Sequence, residues 1–281
     1  MDKSLFLLTM ALAAFFFSCG NLEKEIDLDL PLYESQIVVE CYLKPNEPFS
    51  LLLTKSAAYF EPFPTEDLQF VEKILEQDAT VTIRHNGQAY ELKNELVFNP
   101  VTQKVFNYHN PQLVPQDYDN DFFLEIKTKD GRTVTGQTRL LPVVPIDSVV
   151  VEFDLLTDTL ARVLTYITED PSTDNYYRRM LHVGALDSIP KQDFTTNDDF
   201  VEDNLFIFGS GFDFKPGDTV INSIFHIDRE YFDFLESIFF ATDANGNPFG
   251  QPAAIYSNVS GNAIGIFTGL SVDRVVTVIE R

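Results

Sequence analysis

Short runs rich in Val, Ile, Thr, Phe and Tyr, each closed by turn-forming residues, recur along residues 35–279. Runs of this length suit pleated strands with one buried face, and most are too short for helices. They confine the chain to a mainly β architecture. Residues 35–42 and 49–56 are the first two strands expected. Residues 79–85 alternate apolar and polar side chains, and Asn86-Gly87 separates them from 88–92. Both turn residues tolerate positive φ, which a two-residue hairpin requires. Residues 122–127 turn through Lys129-Asp130-Gly131 into 132–138, giving a second hairpin. Strands at this spacing fit an Ig-like β-sandwich of about 100 residues.

Residues 140–145 hold Pro142 and Pro145. Proline lacks the ladder N–H, so this run reads as a connector between domains. Two β-sandwich-like domains are therefore expected: an N-terminal one over 34–142 and a C-terminal, mainly β one over 146–281. The second continues with strands at 146–153, 161–168, 176–183, 205–208, 219–227, 263–267 and 272–279. One amphipathic helix interrupts it. Asp228 caps residues 229–241, where Tyr231, Phe232, Leu235, Ile238 and Phe239 share a face. Glu230 in the first turn suits the helix dipole. The aromatic stripe is expected to pack on the second sheet.

The N-terminus carries an address. Lys3 precedes an apolar run from Leu5 to Phe17, interrupted by one polar residue. A bilayer-spanning helix needs about 20 apolar residues, so this run fits the h-region of a signal peptide over 1–18. It ends in Phe16-Phe17-Ser18-Cys19-Gly20, which resembles a bacterial lipobox, with Cys19 as the acylated lipid anchor. Residues 19–33 form a tether carrying Glu23, Glu25, Asp27 and Asp29. Acidic residues after a lipidated Cys are similar to the surface-export signals of Bacteroidota lipoproteins. The remaining Cys41 lies in the apolar run 37–43 and reads as a buried, inert thiol. With a formal net charge of −23, the chain as a whole has no nucleic-acid footprint.

Cys19, residues 26–31 and Ile37-Val-Val-Glu40 together resemble the start of a Bacteroidota outer-membrane lipoprotein family catalogued as domain of unknown function 4249. Further matches are Pro145-Ile-Asp-Ser-Val149, Asp170-Pro171 with Asn175-Tyr-Tyr-Arg178, and Asn247-Pro-Phe-Gly250. The clearest is Tyr256-Ser-Asn-Val-Ser-Gly261 leading to Ile264-Gly-Ile-Phe-Thr-Gly269. Gly261-Asn262 stands where the family has a Gly-Gly pair, and Asn also tolerates positive φ. The resemblance implies an outer-membrane lipoprotein, often associated with TonB-dependent transporters. It implies no catalytic residues.

No GxSxG elbow, HExxH or P-loop occurs in the sequence. A glycosidase would need two carboxylates at a set separation, and no pair stands out among 43 acids. Asp193, Asn197, Asp198, Asp199, Glu202 and Asp203 cluster, but without EF-hand spacing they read as a solvated loop rather than a calcium site. Asp243-Ala-Asn-Gly-Asn247 reads as a tight turn. Tyr176-Tyr177 could offer one ring to a sugar, and His85, His109, His182 and His226 read as strand or loop residues. Asp-Ser/Thr-aliphatic triplets resemble Bacteroidota O-glycosylation sites at Ser148, Thr159, Ser188 and Thr219. No catalytic residue, metal site or cofactor is expected.

The sequence thus reads as a surface-facing, lipid-anchored outer-membrane protein. Its expected function is that of a non-enzymatic accessory or ligand-capture subunit of a TonB-dependent transporter. The alternatives are a surface hydrolase with an unrecognised carboxylate site and a structural or adhesive β-sandwich.

Overall fold

A computed structural model describes residues 34–56, 74–156, 159–199, 204–245 and 254–281. The signal peptide, Cys19, the tether and the 247–250 match lie outside these residues, as do Glu202, Asp203 and the end of the 243–247 turn.

Strand β1 (Ile37–Leu43) alternates buried and half-buried residues, with Ile37, Val39, Cys41 and Leu43 turned inward. It pairs with β2 (Pro48–Lys55). The hairpin of β3 (Thr80–His85) and β4 (Gln88–Asn99) turns at Asn86 and Gly87, whose φ angles are 47° and 77°. β4 then turns a corner. Its residues up to Leu92 pair with β3, whereas Lys93 onward pairs with β5 (Lys104–Leu113) across a register irregularity between Asn94 and Val97. Strands that switch partners at a bulge are how sheets bend into barrels. β6 (Phe122–Lys127) and β7 (Thr133–Thr138) complete the hairpin expected there.

The sheet does not stop with the first half. β14 (Val259–Ser260) pairs antiparallel with β7, and β15 (Ala263–Gly269) pairs in parallel with β1. The order is β14-β7-β6-β3-β4-β5-β2-β1-β15. Only Gly261 and Asn262 separate the strands at its two edges, so the edges must meet and the sheet is nearly closed. Those residues take φ angles of 92° and 56°, as the turn chemistry of the pair required. Phe49, Leu51, Val81, Ile83, Tyr108, Phe122 and Phe267 fill the interior in one core.

The expectation of separate Ig-like sandwiches over 34–142 and 146–281 therefore needs correction. The chain leaves this sheet after Thr138 and returns at Val259, and residues 35–281 form one compact unit. Pairing with β1 buries Ile266 and Phe267, which holds the returning segment in the first sheet.

The remaining strands form two smaller sheets. One has the order β12 (Leu205–Gly209), β9 (Ala161–Thr168), β8 (Ile146–Phe153); the other runs β11 (Gln192–Asn197), β10 (Tyr176–Val183), β13 (Thr219–Ile227), β16 (Ser271–Val278). Their inner faces meet through Ala161, Val163, Leu181 and Val220, and through Ile167, Tyr177, Phe208 and Ile224. Arg179 lies fully buried between them. Its guanidinium donates to the Gly209 carbonyl at 2.8 Å and to Thr165 Oγ1 at 3.2 Å, and burial pushes its pKa down to about 10.

Helix α1 (Arg229–Asn245) is capped by Asp228, whose Oδ1 accepts the Tyr231 N–H at 2.7 Å. It runs past the expected end at residue 241. Tyr231, Phe232 and Leu235 pack on Phe225 and Ile227 of β13, and also on Ile266 of β15 and Tyr42 of β1. The helix thus bridges the nearly closed sheet and the second sheet rather than covering the second alone. Ile238 and Phe239, expected on the packed face, are exposed.

Candidate functional site

The alternation of β10 sends Tyr177, Arg179 and Leu181 into the sandwich and Arg178, Met180 and His182 to the opposite face. Register brings neighbours to that face. Met180 stands opposite Ser223 on β13, which stands opposite Arg274 on β16; Arg178 stands opposite Phe225. Facing this floor are Tyr42 and Lys44 from β1 and the turn after it, Ser50 from β2, and Lys104 and Phe106 from β5. Residues 186–190, between β10 and β11, form a third side. The cleft, open to solvent on one side, measures about 450 Å³, within the size range of sites for small molecules.

The charges in this cleft run against those of the chain. The whole sequence carries −23, yet Lys44, Lys104, Arg178 and Arg274 line the cleft against Glu47 and Asp187. Three of these cations have acidic partners. Lys44 pairs with Glu47 at 3.4 Å, and Lys104 pairs with Glu40 while lying 4.6 Å above the Tyr42 ring. Arg178 holds Asp193 at two points, Nε to Oδ1 at 2.7 Å and Nη2 to Oδ2 at 2.6 Å. Burial opposes the charge on Arg178, but Asp193 and Tyr231 override it and raise the pKa. Arg178 Nη1 also donates to the Tyr231 hydroxyl at 3.1 Å, and the Tyr231 ring meets Tyr42 edge-on at 5.6 Å.

Arg274 is different. Its Nε donates to Ser223 Oγ at 3.1 Å and its guanidinium lies 5.8 Å from the Phe225 ring centre. Among the described residues no carboxylate lies within ion-pair distance of it. His182, also lining the cleft, is buried, and its Nδ1 has no hydrogen-bond partner among the described residues. Burial, then the nearby Arg274 charge, lowers the His182 pKa, so the ring is neutral at pH 7.

Other groups that the sequence brought forward fall elsewhere. Asp193 and Asn197 are strand residues of β11 rather than loop residues, and Asp193 is engaged by Arg178. Among the described residues no cluster of three or more His, Cys, Asp or Glu could hold a metal. Tyr177 is buried against Phe206, Phe208 and His226, and Tyr176 packs on Phe232 at 5.1 Å. His85 is buried between Asp117 and the Asp121 carbonyl, and stacks on Phe122. His109 lies 3.3 Å from Ser50 Oγ. Cys41 is buried, as its sequence context indicated.

Ser148 and Thr159 are exposed, and Thr219 is half-buried at the start of β13. Ser188 sits on the rim of the cleft, its hydroxyl donating to the Ala185 carbonyl at 2.6 Å. The cleft itself went unread in the sequence. Its one local signal was Arg178-Arg179, two cations in the middle of a strand.

The family model described as Domain of unknown function (DUF4249) matches residues 23–275. The chain belongs to the DUF4249 family. No curated protein matches it. The DUF4249 span includes Tyr42, Arg178, His182 and Arg274, so the cleft lies within the family domain.

Proposed function

We propose that this DUF4249 protein is a lipid-anchored, non-enzymatic capture subunit that holds a small molecule in the cleft beside a TonB-dependent outer-membrane transporter. The observation that carries the reading is the cleft, where apolar and aromatic walls surround a few convergent polar groups on three strands of one sheet. That is the make-up of a binding pocket. Binding is favoured over hydrolysis because the described acids with raised pKa, Asp228 and Glu169, do not line the cleft. Of the two acids that do line it, Glu47 is paired with Lys44 and Asp187 is exposed. The lipobox at Cys19 and the acidic tether support an outer-membrane anchor and the outward face. Resemblance to lipoproteins found with such transporters supports the partner. An anchor of this kind raises local concentration, so weak contacts to the transporter suffice.

The test is gentle detergent extraction of the tagged full chain, with a Cys19→Ala control. Recovery of a TonB-dependent barrel with the wild type and its loss in the control is the expected result. Recovery of the wild-type lipoprotein alone at good yield would remove the transporter from the account.

A further inference from the structure

Pairing by Glu47, Glu40 and Asp193 leaves Arg274 as the cleft cation without a carboxylate at ion-pair distance among the described residues, with Glu47 acting on it only at longer range. An exposed, unpaired arginine is ordinary on a protein surface. A buried imidazole with an unsatisfied nitrogen is not, because a buried polar atom without a partner has given up its hydration for nothing. His182 presents such an atom, Nδ1, and the same side chain lines the cleft. Arg274 and His182 lie on outer-face positions of one sheet, flanking Ser223 and Ile221 of the intervening β13. Beside them Met180, Phe225 and Leu270 provide apolar wall.

Resting on the reading of this cleft as a capture site, we infer that its ligand is a monoanionic carboxylate with an apolar body. The Arg274 fork presents two parallel N–H donors to the planar carboxylate. His182, in its Nδ1–H tautomer, donates a further hydrogen bond and is satisfied by it. The apolar body lies along Met180, Phe225 and Leu270. With Asp187 also lining the cleft outside any ion pair among the described residues, the summed charge is near zero, so Arg274 suits a single negative charge better than the double charge of a phosphate monoester.

Met180 makes the inference measurable, since the sequence has only two other methionines, Met1 and Met10. Full-length chain labelled with methyl-¹³C methionine would be titrated with 4-phenylbutyrate, 4-phenylbutanamide and 3-phenylpropylphosphonate, with Met180→Leu assigning the reporter signal. The acid should shift the Met180 methyl saturably, about tenfold more tightly than the amide, with the phosphonate no tighter than the acid. In Arg274→Gln the advantage of acid over amide should fall below about threefold. Equal affinity for acid and amide, or tighter binding of the phosphonate, would overturn the carboxylate inference and leave the cleft a site. No saturable shift from any probe would overturn the inference and the capture reading together.

Discussion

Arg178 and Asp193 meet diagonally across β10 and β11 in a two-point ion pair, with both N–O distances at or below 2.7 Å. The pair neutralises a cation on the cleft floor and leaves Arg274 as the cleft cation outside any ion pair among the described residues. In Asp193→Asn the half-buried Arg178 loses its counter-charge, and stability should fall by about 1.5–3 kcal/mol in urea unfolding. With a second free guanidinium in the cleft, the preference should shift from the carboxylate probe toward the phosphonate. Unchanged probe ranking would show that Arg178 does not contribute to the charge the ligand meets.

Closure of the first sheet depends on glycines at the returning segment, Gly261 and Gly265. Gly265 has φ of +133°, and a Cβ there would stand 1.9 Å from the Val39 carbonyl oxygen. That atom is backbone held by the β1–β15 pairing, so it cannot yield. Gly265→Ala should cost about 4 kcal/mol or more, seen as a large fall in thermal midpoint or a failure to fold. Gly131→Ala is the control. Its φ is +89° with nothing within 4 Å, so it should cost only the backbone penalty of about 1–2 kcal/mol.

Asp228 joins three elements. Besides capping α1, its Oδ2 accepts from Thr138 Oγ1 at 3.3 Å and Thr268 Oγ1 at 3.0 Å. Burial raises its pKa despite these bonds. A raised folded value favours the protonated form, so its stabilising contribution is complete below the unfolded pKa and is lost as pH rises through the folded one. Asp117 has the opposite sign. Hydrogen bonds from the Asp119 N–H and from Asn120 hold it at about 2, so its contribution is lost only as pH falls toward that value. Asp228→Asn keeps the cap and removes the first effect alone. It should match wild type near pH 3 and exceed it at pH 7 in urea unfolding, whereas Asp228→Ala should lose about 1 kcal/mol from the cap. A parallel pH profile for wild type and Asp228→Asn would contradict the assignment.

Cys41 faces the core of the first sheet, and burial, reinforced by Glu40, pushes its thiol pKa well up. Only the thiolate is reactive. In a Cys19→Ala chain, a maleimide reagent should leave the native protein unlabelled and add one label once the protein is unfolded in urea. Labelling of the native chain at the rate of a free thiol would contradict burial of Cys41.

The alternating runs showed where most strands lie, because the period of two persists wherever one face is buried. β1 and the Asn86-Gly87 hairpin are examples. β5 leaves no clear pattern in the sequence for a physical reason. Asn107 occupies a core position in it and breaks the apolar alternation, yet its amide is satisfied by the backbone of Leu53 and Glu76. β11 reads as a loop in the sequence because Asp193 and Asn197 look solvated until Arg178 is seen beside Asp193. Sheet closure was hidden in a two-residue β14, too short to leave a pattern. The cleft was least legible, since Lys44, Lys104, Arg178 and Arg274 converge only through strand pairing and the packing of separate sheets. Nothing local marks Arg274 as the cation left over.

The most direct measurement is native mass spectrometry of the tagged full chain, gently purified from the cells that make it, compared with Arg274→Glu. Arg274 is exposed, so the fold should survive the reversal, and an unchanged thermal midpoint would confirm that. The expected result is one small acidic molecule carried by each wild-type chain and absent from the variant. Wild-type chain that carries nothing, or a variant that retains the same molecule, would contradict capture at this cleft.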